Sequence, residues 1–279
     1  MKKILLSAML LLAALAARPQ FVQVADGHFV RNGLPYVVNG TNMWYAAVTD
    51  SARLCRELDA LCALGINNLR VMASAEGQPV IAQADVVAQT APGVYNERLL
   101  RGLDRMLVEL SRRDMTCVLF LTNAWEWSGG YGSYLEWSGC GTTPSEYGKY
   151  CLFCSQFHSN EKAKAMYRDH VRRIVGRTNT ISGTPYRDEP AIMAWQLCNE
   201  PRAFDRNANT DFRKWVAESA ALVKSIDNNH MLSTGSEGSV GCQYAPDPMA
   251  DYEQMHADAN IDYLTIHVWP TMWGWASKT

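Results

Sequence analysis

The sequence predicts an α/β chain, a (β/α)8 TIM barrel entered through an N-terminal β-hairpin, with about six of the eight β/α units present. Three observations predict it. Strand-like and helix-like patterns alternate strictly, which calls for a parallel sheet covered by helices. Polar and aromatic residues recur at the ends of successive strand patterns, where barrel folds gather functional groups. No Gly-x-Gly-x-x-Gly turn follows the first strand and no phosphate-binding loop is present, which argues against an open nucleotide-binding sheet.

Composition narrows the function classes. The 279 residues are 48% hydrophobic, enough for a sizeable core, and the net charge of −2 argues against a nucleic-acid-binding surface. Residues 1–17 read as a secretory signal: Lys2 and Lys3, then the apolar run Ile4 to Leu15, then the small-x-small site Ala14-Leu15-Ala16. No later run approaches membrane-spanning length. The expectation is a secreted or periplasmic protein, with residues 18–279 as one domain. Eight cysteines then become informative. Cys55, Cys62, Cys117 and Cys198 fall in helix or strand patterns and read as buried thiols. Cys140, Cys151, Cys154 and Cys242 lie in polar loops, where disulfides are expected in preference to a zinc site, because the four-ligand spacing is absent. No cofactor or metal is expected.

The elements follow in order. Alternation around Asp26-Gly27 predicts a hairpin lidding the bottom of the domain. A first core strand is expected over Tyr36 to Asn39. Asp50 caps a helix with Leu54, Leu58, Leu61 and Leu64 at helical spacing, closed by Gly65. Strands are expected at Ile66 to Met72, Cys117 to Leu121, Ile192 to Leu197, His230 to Thr234 and Ile261 to Ile266. Helices are expected from about Asn96 to Arg113, Asn160 to Gly176, Asp211 to Ile226 and around Tyr252 to Ala259. Between Thr122 and about Ser159 regular pattern disappears in favour of Gly, Trp and Tyr, which predicts a long functional loop.

The stretch PAIMAWQLCNEPR, residues 190–202, is the focus of the chain. A buried strand ends by presenting Asn199 and Glu200, stopped by Pro201 and followed by the cation Arg202. An acid at the carboxyl end of a strand is a barrel's way of delivering a catalytic group. The alternative reading is a surface Glu at a turn or helix cap.

The blocks NGTNMW, INNLRV, LTNAW, WQLCNEPR, STGSEG and TIHVWPTMWGW occur in an order that resembles family 5 glycoside hydrolases, most closely their endo-β-1,4-mannanase branch. The resemblance runs from about residue 21 to the C-terminus. It implies a retaining reaction with two carboxyls about 5–5.5 Å apart, one an acid/base and one a nucleophile. It assigns Glu200 as the acid/base, its pKa raised by burial and a neighbouring carboxylate. Asn199 is the partner of the sugar's 2-hydroxyl, and Arg70 the cation that holds the nucleophile. His267 lines the cleaved bond. Trp44, Asn123, Trp125, Arg202, Trp269 and Trp273 are implied substrate-binding residues, and Glu237 a group lining the cleft. The implied partner is a mannan-type polysaccharide, acted on by a monomer.

One part of the pattern is missing. The nucleophile of the family ends the seventh strand, which at roughly 30 residues per unit falls near or beyond position 290. The chain is therefore expected to be an incomplete catalytic domain whose nucleophile lies past Thr279, inactive and poorly soluble by itself. A β-1,4-glucan-cleaving relative and a non-catalytic carbohydrate-binding remnant are the alternatives.

Overall fold

The computed structural model describes residues 21–77 and 86–276. The expected signal at residues 1–17 lies outside the described residues. The chain opens with three short antiparallel strands, β1 (Gln23–Ala25), β2 (His28–Arg31) and β3 (Leu34–Pro35). Asp26-Gly27 and Asn32-Gly33 join them, all four residues at positive φ, the backbone that two-residue hairpin turns require. The lid is thus a three-stranded meander rather than one hairpin.

A parallel sheet follows, in the order β10-β9-β8-β5-β4. Its strands are β4 (Gly40–Asn42), β5 (Asn68–Met72), β8 (Thr116–Phe120), β9 (Ile192–Gln196) and β10 (Met231–Ser233). A small two-stranded ribbon, β6 (Gln89–Ala91) and β7 (Val94–Tyr95), is inserted after β5. The first core strand is displaced from 36–39 to 40–42. Tyr36 pairs backward with Phe29 of the lid, and the ladder to β5 begins only at Gly40 opposite Asn68.

Helices cover the outside: α1 (Ser51–Ala63), α2 (Glu97–Ser111), α3 (Gly130–Ser138), α4 (Tyr147–Cys154), α5 (Glu161–Val175), α6 (Asn209–Ile226) and α7 (Pro248–His256). Asp50, Asn96 and Asn160 cap α1, α2 and α5 through side-chain oxygens that accept backbone N–H bonds. Every residue of β8 and β9 is buried, as befits strands covered on both faces. Period-2 alternation sorts them. Leu69, Val71, Cys117 and Leu119 face the helices, while Asn68, Arg70, Met72, Val118 and Phe120 face the barrel interior. Val22 from the lid packs inside against Val118, Met193, Ala194 and Met231, closing the bottom.

Three expectations are corrected. Residues 261–266 are extended beside β10 but do not form a regular strand. Asp262 N–H donates to Leu232 O, and Asp262 Oδ2 accepts from Leu232 N–H in place of a backbone partner. The 122–159 stretch is no structureless loop. It holds α3 and α4, and its Tyr131, Tyr134, Tyr150 and Phe157 are core residues, with Tyr131 stacked on Phe157 at 4.2 Å. Finally, all eight cysteines are free thiols; Cys151, Cys154 and Cys242 are buried, and burial pushes the Cys154 and Cys242 thiols up to about 12. Among the described residues no helix is long and apolar enough to cross a membrane.

Candidate active site

The carboxyl ends of the strands converge on Glu200. Four residues past the end of β9, its backbone turns left-handed (φ 54°), a conformation that costs a non-glycine residue free energy. Its N–H donates to Gly235 O, and Gly235 itself (φ 80°) lies so close that a Cβ there would stand 1.9 Å from Cys198 O. The loops after β9 and β10 are therefore pressed together, and this forces the carboxyl into the mouth.

Two groups grip that carboxyl. The indole N–H of Trp125 donates to Oε2 at 2.6 Å, and His267 Nδ1 lies 2.6 Å from Oε1. Burial works to raise the pKa of Glu200. The hydrogen bond and charge of His267, the Trp125 bond and the charge of Arg202 outweigh it, so the carboxyl is held below the ordinary range. The sequence predicts the opposite direction. The raised value was to come partly from a neighbouring carboxylate, and among the described residues lining the cavity Glu200 is the one carboxylate.

Asn199 and Arg70 belong to a buried lattice beneath. Arg70 donates from Nε to Gln196 Oε1 (2.8 Å) and from Nη2 to Asn199 Oδ1 (2.9 Å), with its guanidinium 4.7 Å from the Phe120 ring centroid. Burial lowers the guanidinium to about 10, against the pull of Glu200. Asn199 Nδ2 donates to Asn123 Oδ1, which also accepts the Trp125 backbone N–H. One asparagine thus sets both Asn199 and the turn carrying Trp125.

The resulting cavity has a volume of about 850 Å³ and is lined by Trp44, Trp127, Trp269 and Trp273 around Arg70, Asn199, Glu200 and His267. Trp44 and Trp269 present 41% and 46% of their surface, as stacking platforms must. Asn123 and Arg202, expected to touch substrate, are instead buried and engaged within the protein: Asn123 as above, Arg202 in a two-pronged ion pair with Glu237. Glu237 is itself buried rather than open to the cleft. Sequence reasoning missed Trp127 and Gln196. Gln196 carried a signal, since a lone amide on the inward face of an apolar strand needs a buried partner. No group of three or more potential metal ligands is present among the described residues.

Comparison with known proteins supplies the family. The family model described as GH family 5 beta-mannosidase-like matches residues 19–279. Mannan endo-1,4-beta-mannosidase 1 of Arabidopsis thaliana is 32% identical over 275 residues, covering 92% of this chain and 63% of its own length. Mannan endo-1,4-beta-mannosidase 5 of Solanum lycopersicum is 32% identical, covering 91% and 61%. The crystal structure of the Rhizomucor miehei family 5 mannosidase superposes with a TM-score of 0.80 at 33% identity, over 92% of this chain and 63% of that one. This chain thus spans less than two thirds of the length of these relatives. On the family match over nearly its whole length, the chain belongs to glycoside hydrolase family 5, in its β-mannosidase-like group.

Proposed function

We propose that the protein is a secreted, endo-acting retaining glycoside hydrolase that cleaves β-1,4-mannosidic bonds in mannan-type polysaccharides. The observation that carries this reading is Glu200, projected from a strained backbone into a tryptophan-lined cavity and gripped by Trp125 and His267. Glu200 acts as acid/base, protonating the glycosidic oxygen and then taking a proton from water. Asn199, oriented by Arg70 and Asn123, offers its amide to the sugar beside the cleaved bond, and Trp44, Trp269 and Trp273 stack on sugar rings. The nucleophile is a second carboxyl supplied from outside the described residues. Its negative charge against Glu200 adds to the upward push of burial, enough to carry the acid's pKa into a range where it holds a proton.

The test is reducing-sugar release from mannan and from cellulose by the protein as encoded in full, beside its Glu200→Gln variant. Mannan hydrolysis falling by about a hundredfold or more in the variant supports the reading. Preference for cellulose moves it to the β-1,4-glucan-cleaving relative. Tight binding of mannohexaose without hydrolysis gives the carbohydrate-binding alternative, which Glu200 being the one carboxylate among the described residues lining the cavity would suit. N-terminal sequencing of the exported protein, expected to begin near residue 18, tests secretion.

A further inference from the structure

Two buried charged groups behind the cavity have no part in the reaction as described. Arg202 Nε donates to Glu237 Oε2 at 2.5 Å and Nη2 to Oε1 at 2.7 Å, with side chains 7% and 2% exposed. A pair removed this far from water adds little to stability over apolar residues of similar volume, because desolvation offsets the attraction. Its placement has another consequence. The guanidinium lies 5.1 Å from the centroid of the Trp125 ring, and Trp125 is the residue whose indole N–H holds Glu200. Arg202 is anchored at its other end too, where its carbonyl oxygen accepts from the ring of buried His158 at 2.9 Å. Phe204 packs edge-on against the same indole at 5.2 Å.

We propose that Glu237 is a positioning residue for the acid/base step. It fixes Arg202 against Trp125, Trp125 fixes the Glu200 carboxyl, and the Glu237 charge balances the buried cation beside that carboxyl. The inference rests on Glu200 being the acid/base. The charged and titratable groups facing Glu200 are His267, Arg202, Arg70, Glu237 and Cys198. Those facing Glu237 are Arg202, Glu200 and His267. Of these, His267 and, more weakly, Arg202 draw the Glu200 carboxyl down, and Arg202 is the one that Glu237 grips. With Glu237 neutralised the pull of Arg202 is no longer offset by a neighbouring carboxylate, and an acid that must begin protonated holds its proton only at lower pH.

The experiment follows the indole N–H resonance of Trp125 in the full-length protein through a pH titration, assigned by its loss in Trp125→Phe. Because that N–H donates to Glu200, its midpoint reports Glu200. In Glu237→Gln the midpoint falls by about half a pH unit or more, and Glu237→Asp returns it toward the wild-type value. An unchanged midpoint in a folded Glu237→Gln protein overturns the proposal. Should that variant not fold, Arg202→Lys decides, since it keeps the charge and loses the two-pronged grip. The indole line then broadens or moves if the grip fixes Trp125, and stays at its wild-type position if it does not. Mannan hydrolysis is measured in parallel. A shifted midpoint in a protein that releases no sugar leaves the relay standing and removes the glycosidase reading; sugar release with an unmoved midpoint does the reverse.

Discussion

At the scale of single residues, the site depends on a buried acid that touches no sugar. Glu76, four residues past β5, is fully buried. Its carboxyl accepts from the Gly130 N–H at 3.2 Å and the Tyr134 hydroxyl at 3.3 Å, and its carbonyl oxygen from Ser133 Oγ at 3.0 Å. These bonds bolt the start of α3 to the β5 loop, and with it the turn that carries Asn123 and Trp125. Burial, only partly offset by those bonds, raises its pKa to about 8, and adjacent His170 is pushed down to about 4 by burial and supplies no countercharge. The native state therefore keeps a proton that the unfolded chain releases above about 4.5. Stability then falls as pH rises from there toward 8, by at most about 1.4 kcal/mol per unit. Glu76→Gln carries no charge to bury at any pH. Thermal unfolding of both proteins at pH 5 and pH 8 is expected to show the variant gaining on the wild type as pH rises; a constant gap would sink the argument.

At the scale of elements, joints matter more than the elements they join. Gly235 holds the loop after β10 against Cys198 O, and both its left-handed φ and the 1.9 Å approach forbid a side chain. Gly235→Ala is expected to cost about 1–3 kcal/mol in urea unfolding, more than a solvent-facing Gly→Ala at Gly148, where nothing lies within 4 Å. It should also loosen the Glu200 backbone, whose N–H bonds to Gly235 O. Equal costs at the two positions would remove Gly235 from the site's support. The same contrast explains what was legible in the sequence. Helices α1, α2 and α5 were readable because Asp50, Asn96 and Asn160 announce them locally, and Glu200 because an apolar strand leads straight to it. The partners of these groups were not readable, since Gln196 lies 126 residues from Arg70 and Glu237 35 from Arg202, and only packing brings them together. Helices α3 and α4 escaped notice because their glycines, tyrosines and cysteines are weak helix formers that packing overrides. The expected disulfides failed for a related reason: Cys151 and Cys154 sit in a packed helix rather than in a polar loop.

At the scale of the whole molecule, the five-stranded sheet leaves its two sides unequal to their surroundings. Beside β4, Val37 is 77% exposed; beside β10, Leu264, Ile266 and Val268 alternate outward at 58%, 67% and 55%. Leu264, Ile266 and Val268 line the cavity together with Tyr263 and His267, so the exposed row is one continuous apolar border of the site rather than a scatter of surface residues. Exposed apolar rows on an unpaired strand edge recruit other chains. The 279-residue chain is accordingly expected to self-associate as concentration rises, read as growth of the sedimentation coefficient. A Leu264→Lys, Val268→Lys double variant should shift it toward the monomer, since both side chains lie outside the core and their replacement costs the fold little. Neither residue hydrogen-bonds Trp125 or Glu200, so the indole N–H signal of Trp125 should persist in that variant, although both residues line the same cavity as Glu200. A wild-type chain that sediments as a monomer at every concentration would show that these rows do not recruit; loss of the indole signal in the double variant would show that the edge and the site are one unit.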